Sequence, residues 1–319
     1  MHLDIILPTY NRESLLELAL ESLLVAQIPE GMRVEILVVD NNSTDNTAAV
    51  VEKWKARFSG RLGYLFEPKQ GRSHALNAGI KATTGDLLGF VDDDEEIASN
   101  WYEVVHQAFR TMGVDFIGGP YVPKWGMTPP AWLPEKYRGV IGWIDAGDNR
   151  IAFDESFAGI LMGGNAVISR AILEKVGGYR TYLSRTGNKL LSGEDEEMYY
   201  RLLAAKAKGF YLPELRIFHY IPAARLTKTY HRRWCLWHGV SLGILDHTHP
   251  QPVDYFGGVP RYLYGDAVRG LWSNTISLFK RTRTPAEWFA NELALWDLMG
   301  FFYGKHYYHR RVEATAASE

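Results

Sequence analysis

Five consecutive acidic residues, 92–96, directly follow an apolar stretch at residues 87–91. The apolar stretch predicts a strand that is buried on both faces. Carboxylates at this density need a counter-charge, because desolvation and mutual repulsion both disfavour their ionised forms. A hard divalent cation would supply that charge, and in an extended segment Asp92 and Asp94 would lie on the same side. The run therefore predicts a cation-assisted ligand site; the alternative is a solvated acidic turn before the next helix.

Three more apolar strands are predicted nearer the N-terminus, at residues 3–7, 34–39 and 62–66, and helical patterns separate them. Strands that alternate with helices at this spacing predict an α/β fold with a doubly wound, mostly parallel sheet flanked by helices. Because the carboxyl ends of parallel strands meet at one edge, we expect the polar residues that follow the strands to lie together. These polar groups are residues 9–12, 40–42, 70–72 and 92–94.

Together these groups have the chemistry of a site for a nucleoside diphosphate. A carboxylate such as Asp40 can accept a hydrogen bond from a ribose hydroxyl or a base N–H. Arg72 and the helix N-termini suit an anionic or planar group, and a cation on Asp94 suits a diphosphate. The sequence has neither the Walker loop nor the dinucleotide-binding glycine turn. We therefore expect the phosphates to be held through the cation.

Composition limits the classes of function. The chain has 319 residues, of which 46% are hydrophobic and 23% charged, and its formal net charge is −2. This composition is globular and lacks the basic excess of a nucleic-acid-binding protein, so no nucleic-acid partner is expected. The single cysteine, Cys235, excludes an internal disulfide and favours a reducing compartment. No signal peptide or membrane-spanning stretch is evident, so we expect a cytoplasmic location, with any membrane contact peripheral and on the cytoplasmic face.

Six short motifs succeed one another along the first 220 residues. They are Pro8-Thr9-Tyr10-Asn11-Arg12, Val38-Val39-Asp40-Asn41-Asn42-Ser43-Thr44-Asp45, Ala75-Leu76-Asn77-Ala78-Gly79, Asp92-Asp93-Asp94, Gly163-Gly164-Asn165 and Gly193-Glu194-Asp195. In this order they resemble the motifs of family 2 glycosyltransferases. The resemblance implies a GT-A fold, an inverting mechanism, a nucleoside-diphosphate sugar donor that is commonly UDP-linked, and Mn²⁺ or Mg²⁺ as cofactor.

The resemblance also implies which residues contact the donor. The residues implied to bind the nucleotide are Pro8, Thr9, Tyr10, Arg12, Asp40, Asn42, Arg72, Asp92 and Asp93. Asp94 would bind the metal, and His219 resembles the histidine that some members add as a second metal ligand. The alternative for His219 is a histidine that is simply hydrogen-bonded at a strand end.

An inverting transfer also needs a base, because an alcohol is a poor nucleophile unless a carboxylate takes its proton. The resemblance makes Asp195 this general base, with Glu194 beside it holding the acceptor or orienting the base. The alternative is that the acids at residues 194–197 only favour the start of a helix. Candidates for contacts with the acceptor are Trp125, Trp132, Gly164 and Asn165. The two tryptophans could stack on a sugar face or simply be packed.

The chain is divided into four regions on this interpretation. They are a nucleotide-sugar-binding half at residues 1–120, an acceptor-binding and catalytic half at 121–220, a helical C-terminal region at 221–312 and a disordered tail at 313–319. Residues 119–158 show no clear period, so we expect an irregular segment there. The C-terminal helices, with Trp272 and Ile276 before the basic segment 280–283, pack on the protein or another subunit, or they bind a membrane surface. The oligomeric state stays open.

The sequence therefore predicts a metal-assisted inverting glycosyltransferase that uses a nucleoside-diphosphate sugar and a saccharide or lipid-linked saccharide acceptor. Two alternatives stay open: a nucleotidyltransferase, and a catalytically silent sugar- or membrane-binding protein on the same fold. A nucleotidyltransferase usually has a glycine-rich, lysine-bearing N-terminal loop, which residues 8–12 do not provide. The intact acids at positions 94, 194 and 195 argue against a silent protein.

Overall fold

The computed structural model describes residues 1–185, 187, 189–280 and 283–310, which form two compact units. The first unit comprises Met1–Lys124, Ile144–Thr181 and Glu194–Tyr220. The second comprises Trp125–Trp143, Tyr182–Gly193 and the described residues after 220. The chain therefore enters the second unit twice before its C-terminal helices begin. The tail predicted at residues 313–319 lies outside the described residues, and the predicted division of roles along the chain stays a prediction.

Strands and helices alternate through much of the first unit, whereas long helices dominate the second. The strands are β1 (His2–Thr9), β2 (Arg33–Asp40), β3 (Leu62–Phe66), β4 (Leu87–Phe90), β5 (Glu95–Ile97), β6 (Phe116–Gly118), β7 (Tyr121–Trp125), β8 (Ile151–Phe153), β9 (Ala166–Ser169), β10 (Gly209–Tyr211), β11 (Ile217–Ile221), β12 (Tyr255–Phe256) and β13 (Val259–Pro260). The helices are α1 (Glu13–Val25), α2 (Thr47–Lys55), α3 (Arg72–Ala82), α4 (Trp101–Thr111), α5 (Arg170–Val176), α6 (Glu194–Ala204), α7 (Lys228–Leu245), α8 (Arg261–Lys280) and α9 (Pro285–Tyr303).

The central sheet of the described chain has eight strands in the order β3-β2-β1-β4-β9-β6-β10-β8. Strands β3, β2, β1 and β4 are parallel neighbours, and β10 is parallel to β6. Strand β9 runs antiparallel to β4 and β6, and β8 runs antiparallel to β10. The prediction of an α/β fold with a mostly parallel sheet flanked by helices is confirmed.

Both faces of the central sheet are buried. On β1, Leu3, Ile5 and Leu7 belong to one core cluster with Trp101 of α4, whereas Ile6 belongs to a second cluster. Successive side chains of a strand point to opposite faces, so one strand contributes to both cores. This explains why β1 is an almost uninterrupted apolar stretch. The carboxyl edge of the sheet is thereby fixed by packing on both sides.

A smaller sheet has the order β5-β11-β7, and in it His219 of β11 lies opposite Glu95 of antiparallel β5. Strands β7 and β8 fall within residues 119–158, and Glu135–Ile141 forms a 3-10 helix there. The prediction of an irregular segment is wrong for these elements, because strands this short do not show a measurable period.

The first three acids of the run, 92–94, lie between two strands and do not form an extended segment. Strand β4 ends at Phe90 and β5 begins at Glu95, with Asp93 and Asp94 in the intervening turn. The prediction that Asp92 and Asp94 lie on one side of an extended segment is therefore wrong, because the two-residue period ends with the strand.

In the second unit, α7 and α9 approach each other closely at glycines. A Cβ at Gly239 would lie 2.5 Å from the carbonyl oxygen of Asp297, and one at Gly300 would overlap the carbonyl of Leu236. Only glycine allows the backbones of two helices to come this close. None of the described helices is both long enough and apolar enough to cross a membrane.

Candidate active site

The first acidic group surrounds the guanidinium of Arg12. Its Nη1 donates to Asp93 Oδ1 at 2.8 Å and to Asp94 Oδ2 at 2.9 Å. Thr9 Oγ1, at the end of β1, donates to Asp93 Oδ2 at 2.9 Å. Both carboxylates are buried. Arg12 therefore supplies counter-charge at the place where the sequence predicts a cation.

Arg72, the first residue of α3, joins the first acidic segment to the second. Its Nε donates to Asp92 Oδ1 at 3.0 Å, and its Nη1 donates to Asp195 Oδ1 at 3.2 Å. The same Nη1 lies 3.6 Å from Glu194 Oε1. A guanidinium has several donors in a rigid plane, so it can hold carboxylates from two segments in a fixed relation. Asp92, predicted to bind the nucleotide, and Asp195, predicted to act as base, are thus neighbours of one side chain.

Two glycines make room for two carboxylates of this site. A Cβ at Gly163 would overlap Asp195 Oδ1, and a Cβ at Gly164 would overlap Glu95 Oε1. The backbone N–H of Gly163 also donates to Asp195 Oδ2 at 3.0 Å. Asp195 is therefore held by Arg72 through one oxygen and by the backbone through the other, and its orientation is set before a ligand binds.

Strand β11 brings His219 beside the turn of acids, the turn between β4 and β5 that contains Asp93 and Asp94. Its Nε2 lies 3.6 Å from Asp94 Oδ2, and both side chains are buried. The backbone N–H of Tyr220 donates to the carbonyl of Asp94 at 2.8 Å, which ties β11 to the turn. A carboxylate oxygen and an imidazole nitrogen that converge in this way are donors that suit Mn²⁺, whereas Mg²⁺ prefers oxygen alone. Asp94 and His219 therefore fit a cation as ligands, and Arg12 would lie beside it.

Asp40 ends β2 and lies opposite Thr9 in the register of the two strands. It is buried, its Oδ2 accepts from the hydroxyl of Tyr64 at 2.7 Å, and its Oδ1 accepts from the N–H of Ser43 at 2.8 Å. Each carboxylate oxygen keeps a second lone pair, so Asp40 can also accept a hydrogen bond from a ligand.

Asn41 is a positioning residue that the sequence reasoning missed. Its Oδ1 accepts from the N–H of Gly71 at 2.8 Å, and its Nδ2 donates to the carbonyl of Lys69 at 2.6 Å. These bonds hold the loop that leads into α3 and therefore set the place of Arg72. The only feature of the sequence that indicates a role for Asn41 is its position in a motif, between Asp40 and Asn42, which are predicted to bind the nucleotide.

Tyr121 of β7 is a second residue that the sequence reasoning missed. It is only 4% exposed, and its hydroxyl finds no hydrogen-bond partner among the residues that the structure describes. Its ring meets the ring of His219 edge-on, with centroids 6.1 Å apart. Burial, together with the charges of Glu95 and Asp92, raises the pKa of Tyr121 well above its usual value. A buried hydroxyl without a partner is costly, and it marks a place where a ligand group could bind.

The other predicted nucleotide contacts differ in accessibility. Pro8 is buried within β1, opposite Val39 of β2. Tyr10 is 45% exposed, and Asn42 is exposed with a left-handed φ of 66°. Tyr10 and Asn42 can therefore reach a ligand at the carboxyl edge, whereas Pro8 belongs to the strand.

The predicted acceptor contacts have packing roles. Asn165 is fully buried, and its amide accepts from Trp101 Nε1 at 2.9 Å and donates to the carbonyl of Leu215 at 2.7 Å. Trp125 and Trp132, in the second unit, meet other aromatic rings edge-on at centroid distances of 5.8 and 5.1 Å. Asn165 thus joins separate segments of the protein. The acceptor role of all four candidates, Trp125, Trp132, Gly164 and Asn165, stays a prediction.

Burial changes the titration of several acids in this region. Burial raises the pKa of Asp93 to about 6, although Arg12 opposes the change. Burial and the neighbouring acid Asp195 raise the pKa of Glu196 to about 8. The pKa of Glu95 is also raised well above its usual value, mainly by burial. A positive charge near these buried carboxyl groups would stabilise their ionised forms, so their burial favours the binding of a cation at this edge of the sheet.

The glycosyl transferase family 2 profile matches residues 4–177, which is more than half of the chain. This protein belongs to glycosyl transferase family 2. The matched region contains Arg12, Arg72, the turn of acids and the Gly163-Gly164 pair. The family resemblance that the six motifs indicate is therefore confirmed.

Curated relatives match this family member over part of their length. The succinoglycan biosynthesis protein ExoM of Rhizobium meliloti is 33% identical over 133 residues, which are 42% of this chain and 43% of ExoM. The GalNAc(5)-diNAcBac-PP-undecaprenol beta-1,3-glucosyltransferase of Campylobacter jejuni is 36% identical over 126 residues, 39% of this chain and 40% of that protein. The chain thus spans less than half the length of these two relatives.

Solved structures share the fold of this family member. The mannosyltransferase PcManGT from Pyrobaculum calidifontis, in complex with GDP-Man and Mn²⁺, has a TM-score of 0.55 at 19% identity over 99% of this chain and 79% of that one. S. aureus TarS 1-349 in complex with UDP has a TM-score of 0.51 at 15% identity over 98% of this chain and 92% of that one. At these identities the likeness shows the fold alone, and it agrees with a GT-A type of architecture.

Proposed function

We propose that this family 2 enzyme is an inverting glycosyltransferase that moves a sugar from a UDP-linked donor to a saccharide or lipid-linked saccharide. One observation carries the proposal: Arg72 contacts both Asp92, on the donor side, and Asp195, on the catalytic side. A single displacement needs the donor and the base to be adjacent, because the acceptor hydroxyl must lie between them.

The donor nucleotide binds, in this proposal, at the ends of the parallel strands. Asp40 accepts a hydrogen bond from the base or the ribose, and Asp92 accepts one from the ribose. Tyr10 and Asn42 are exposed at the same edge and can contact the nucleoside. Arg72 offers a planar group of donors that suits the diphosphate.

Asp94 and His219 would hold Mn²⁺ or Mg²⁺. When bound, the cation would neutralise the negative charge that builds up on the leaving diphosphate. Arg12 adds a fixed positive charge at the same place, where it donates to Asp93 and Asp94. The protein thus contributes to leaving-group stabilisation through its own guanidinium as well.

Asp195 acts as the general base. Its carboxylate takes the proton of the acceptor hydroxyl while that oxygen bonds to the anomeric carbon. The bond from the anomeric carbon to the diphosphate breaks on the opposite face, so the configuration inverts. The N–H of Gly163 and the guanidinium of Arg72 hold the carboxylate in place, and Glu194 positions the acceptor or the base.

The names of the relatives support the class of donor and acceptor. ExoM is named for succinoglycan biosynthesis, and the Campylobacter jejuni relative has an undecaprenol-linked saccharide in its name. The two solved structures hold GDP-Man with Mn²⁺ and UDP. A polysaccharide or lipid-linked acceptor and a nucleotide donor are therefore the first substrates to test for this chain.

A thermal-shift panel tests the donor site. UDP, GDP, CDP, ADP and dTDP are each added with and without Mn²⁺ to the wild type, to Asp94→Asn and to the control Glu30→Ala, which removes an exposed acid. A ligand that binds only the folded state raises the midpoint, and at a given concentration a tighter ligand raises it more. We expect UDP to give a cation-dependent shift that Asp94→Asn loses and Glu30→Ala keeps.

A second measurement separates donor binding from chemistry. We expect Asp195→Asn to keep the nucleotide shift and to lose transfer by roughly 100- to 10,000-fold, because general base catalysis contributes in that range. The absence of a shift with any nucleotide would overturn the proposal. Release of pyrophosphate in place of a nucleoside diphosphate would identify a nucleotidyltransferase.

A further inference from the structure

After Leu263, helix α8 buries small and polar side chains and exposes large apolar ones. Its buried positions recur every three or four residues on one face: Leu263, Ala267, Gly270, Asn274 and Ser277. Its exposed apolar positions are Val268, Trp272 and Ile276 on the opposite face, with Leu271 and Leu278 at the side of the helix. Trp272 is 68% exposed and Val268 and Leu278 are each 65% exposed. This is the reverse of the usual amphipathic helix, in which the large apolar side chains face the core.

The polar inner face of α8 is matched to α9. Asn274 Nδ2 donates to the carbonyl of Trp288 at 3.0 Å, and Asn291 Nδ2 donates to Asn274 Oδ1 at 2.8 Å. A Cβ at Gly270 would lie 2.7 Å from the carbonyl oxygen of Asn291. Because these contacts are specific, α8 cannot rotate to bury its apolar face without breaking them. The apolar face is therefore held outward by the packing of the second unit.

The segment that carries this face is basic. Residues 261–283 contain five basic residues and one acid, Asp266, which forms an ion pair with Arg269, whereas the whole chain has a formal net charge of −2. Arg269 and Arg283 are exposed in the structure. An apolar face with tryptophan and flanking arginines matches the interface of a bilayer, where apolar groups enter the acyl boundary and basic groups meet anionic headgroups.

We propose that α8 docks on the surface of an anionic phospholipid membrane, with its axis in the membrane plane. A helix of this length is about 30 Å long at 1.5 Å per residue, long enough for several side chains to enter the interface together. A second copy of the chain fits this face less well. In a two-fold dimer the same patch meets itself, so its arginines would oppose like charges.

Vesicle cosedimentation tests the proposal with the full chain. The wild type is mixed with vesicles of phosphatidylcholine alone and with vesicles containing about one third phosphatidylserine, which carry a negative surface potential. We expect binding to the anionic vesicles and a loss of about tenfold or more in the double variant Leu271→Ser/Trp272→Ser, which removes two large apolar side chains. The control Val25→Ser removes an apolar side chain that is 63% exposed in the first unit, and it should bind as the wild type does.

The charge contribution is measured separately. We expect Arg269→Gln and Arg283→Gln each to weaken binding to the anionic vesicles about fivefold, and added salt to weaken the wild type similarly. Both positions are exposed, so the unfolding midpoints should match that of the wild type. The vesicle assay contains no nucleotide sugar, so its outcome is independent of the proposed transferase activity.

Three results would overturn the membrane proposal. The first is no binding to anionic vesicles, and the second is equal binding of the Leu271→Ser/Trp272→Ser variant and the wild type. The third is a wild type that is dimeric in solution without lipid, together with a Leu271→Ser/Trp272→Ser variant that is monomeric. In that case a second copy of the chain covers the apolar face.

Discussion

At the scale of residues, two arginines divide the acids of the site between them. Arg12 lies against Asp93 and Asp94, and Arg72 lies against Asp92 and Asp195. An arginine stays charged at all relevant pH values and donates in a fixed plane, which a lysine does not. Each guanidinium therefore sets the geometry of its carboxylates, and the donor and base regions are connected through Arg72.

Gly163→Ala should separate catalysis from donor binding. A Cβ at Gly163 would overlap Asp195 Oδ1, so the carboxylate must move away from its present place. We expect transfer activity to fall about 100-fold, because a displacement near 1 Å can cost that much, while the shift with nucleotide is kept. The control is Gly63→Ala in β3, where the closest atom to the new Cβ would be a side-chain methyl of Leu37, at 3.1 Å. Unchanged activity in Gly163→Ala would argue against Asp195 as the base.

Tyr121→Phe should stabilise the ligand-free protein and impair the reaction. The hydroxyl is buried without a described partner, so its removal relieves a desolvation cost and leaves the ring in place. We expect the free energy of unfolding in urea to rise by about 1 kcal/mol and the transfer rate to fall. A loss of stability would show instead that the hydroxyl is hydrogen-bonded, for example to ordered water.

At the scale of elements, the pairing of β11 with β5 completes the site. That pairing brings His219 to the turn of acids although His219 is distant in sequence. In the second unit the close approach of α7 to α9 likewise sets the positions of side chains, because it fixes which faces of the two helices are exposed. The pairing of β11 with β5 and the packing of α7 on α9 both depend on where the backbones lie more than on the length of any side chain.

Gly300→Ala tests the helix contact. The new Cβ would overlap the carbonyl of Leu236 on α7, so the helices must move apart. We expect a loss of roughly 3 kcal/mol in the free energy of unfolding, as for overpacking in a core. Gly265→Ala on α8 is the matched control, since its Cβ would meet only the flexible end of Arg269. That variant should be neutral or more stable by about 0.5–1 kcal/mol, because alanine favours a helix.

Asp297 of α9 should make stability depend on pH. Burial raises its pKa from 3.8 to about 6, while hydrogen bonds from Tyr137 and Cys235 oppose the change. Between about pH 4 and 6 the folded protein keeps the proton of Asp297, whereas the unfolded chain has lost it. The contribution of Asp297 to the free energy of unfolding therefore falls as pH rises through that window. We expect the stability of Asp297→Asn relative to the wild type to rise by roughly 2 kcal/mol from pH 4 to pH 7. A constant difference in urea unfolding across this range would contradict the assignment.

At the scale of the whole molecule, the sequence predicts features that depend on neighbouring residues, and it does not predict contacts between segments that are distant along the chain. The polar groups after β1 to β4 were predictable because each follows a short apolar stretch. The contact of Arg12 with Asp93 was not, because it joins residues 81 positions apart whose strands are neighbours only in the folded sheet. Tyr121 and Asn41 act through burial and hydrogen bonds, which residue type and spacing do not report.

The interleaving of the two units predicts that the chain does not tolerate truncation after residue 220. In the second unit, Leu183 and Leu191 pack with Val240 and Ile244 of α7. A fragment of residues 1–220 keeps the two leucines and loses their partners, so it exposes apolar surface and a void. We expect this fragment to aggregate, or to bind a hydrophobic dye and unfold without a cooperative transition. A fragment that unfolds cooperatively at the midpoint of the full chain would show that the first unit folds without the C-terminal helices.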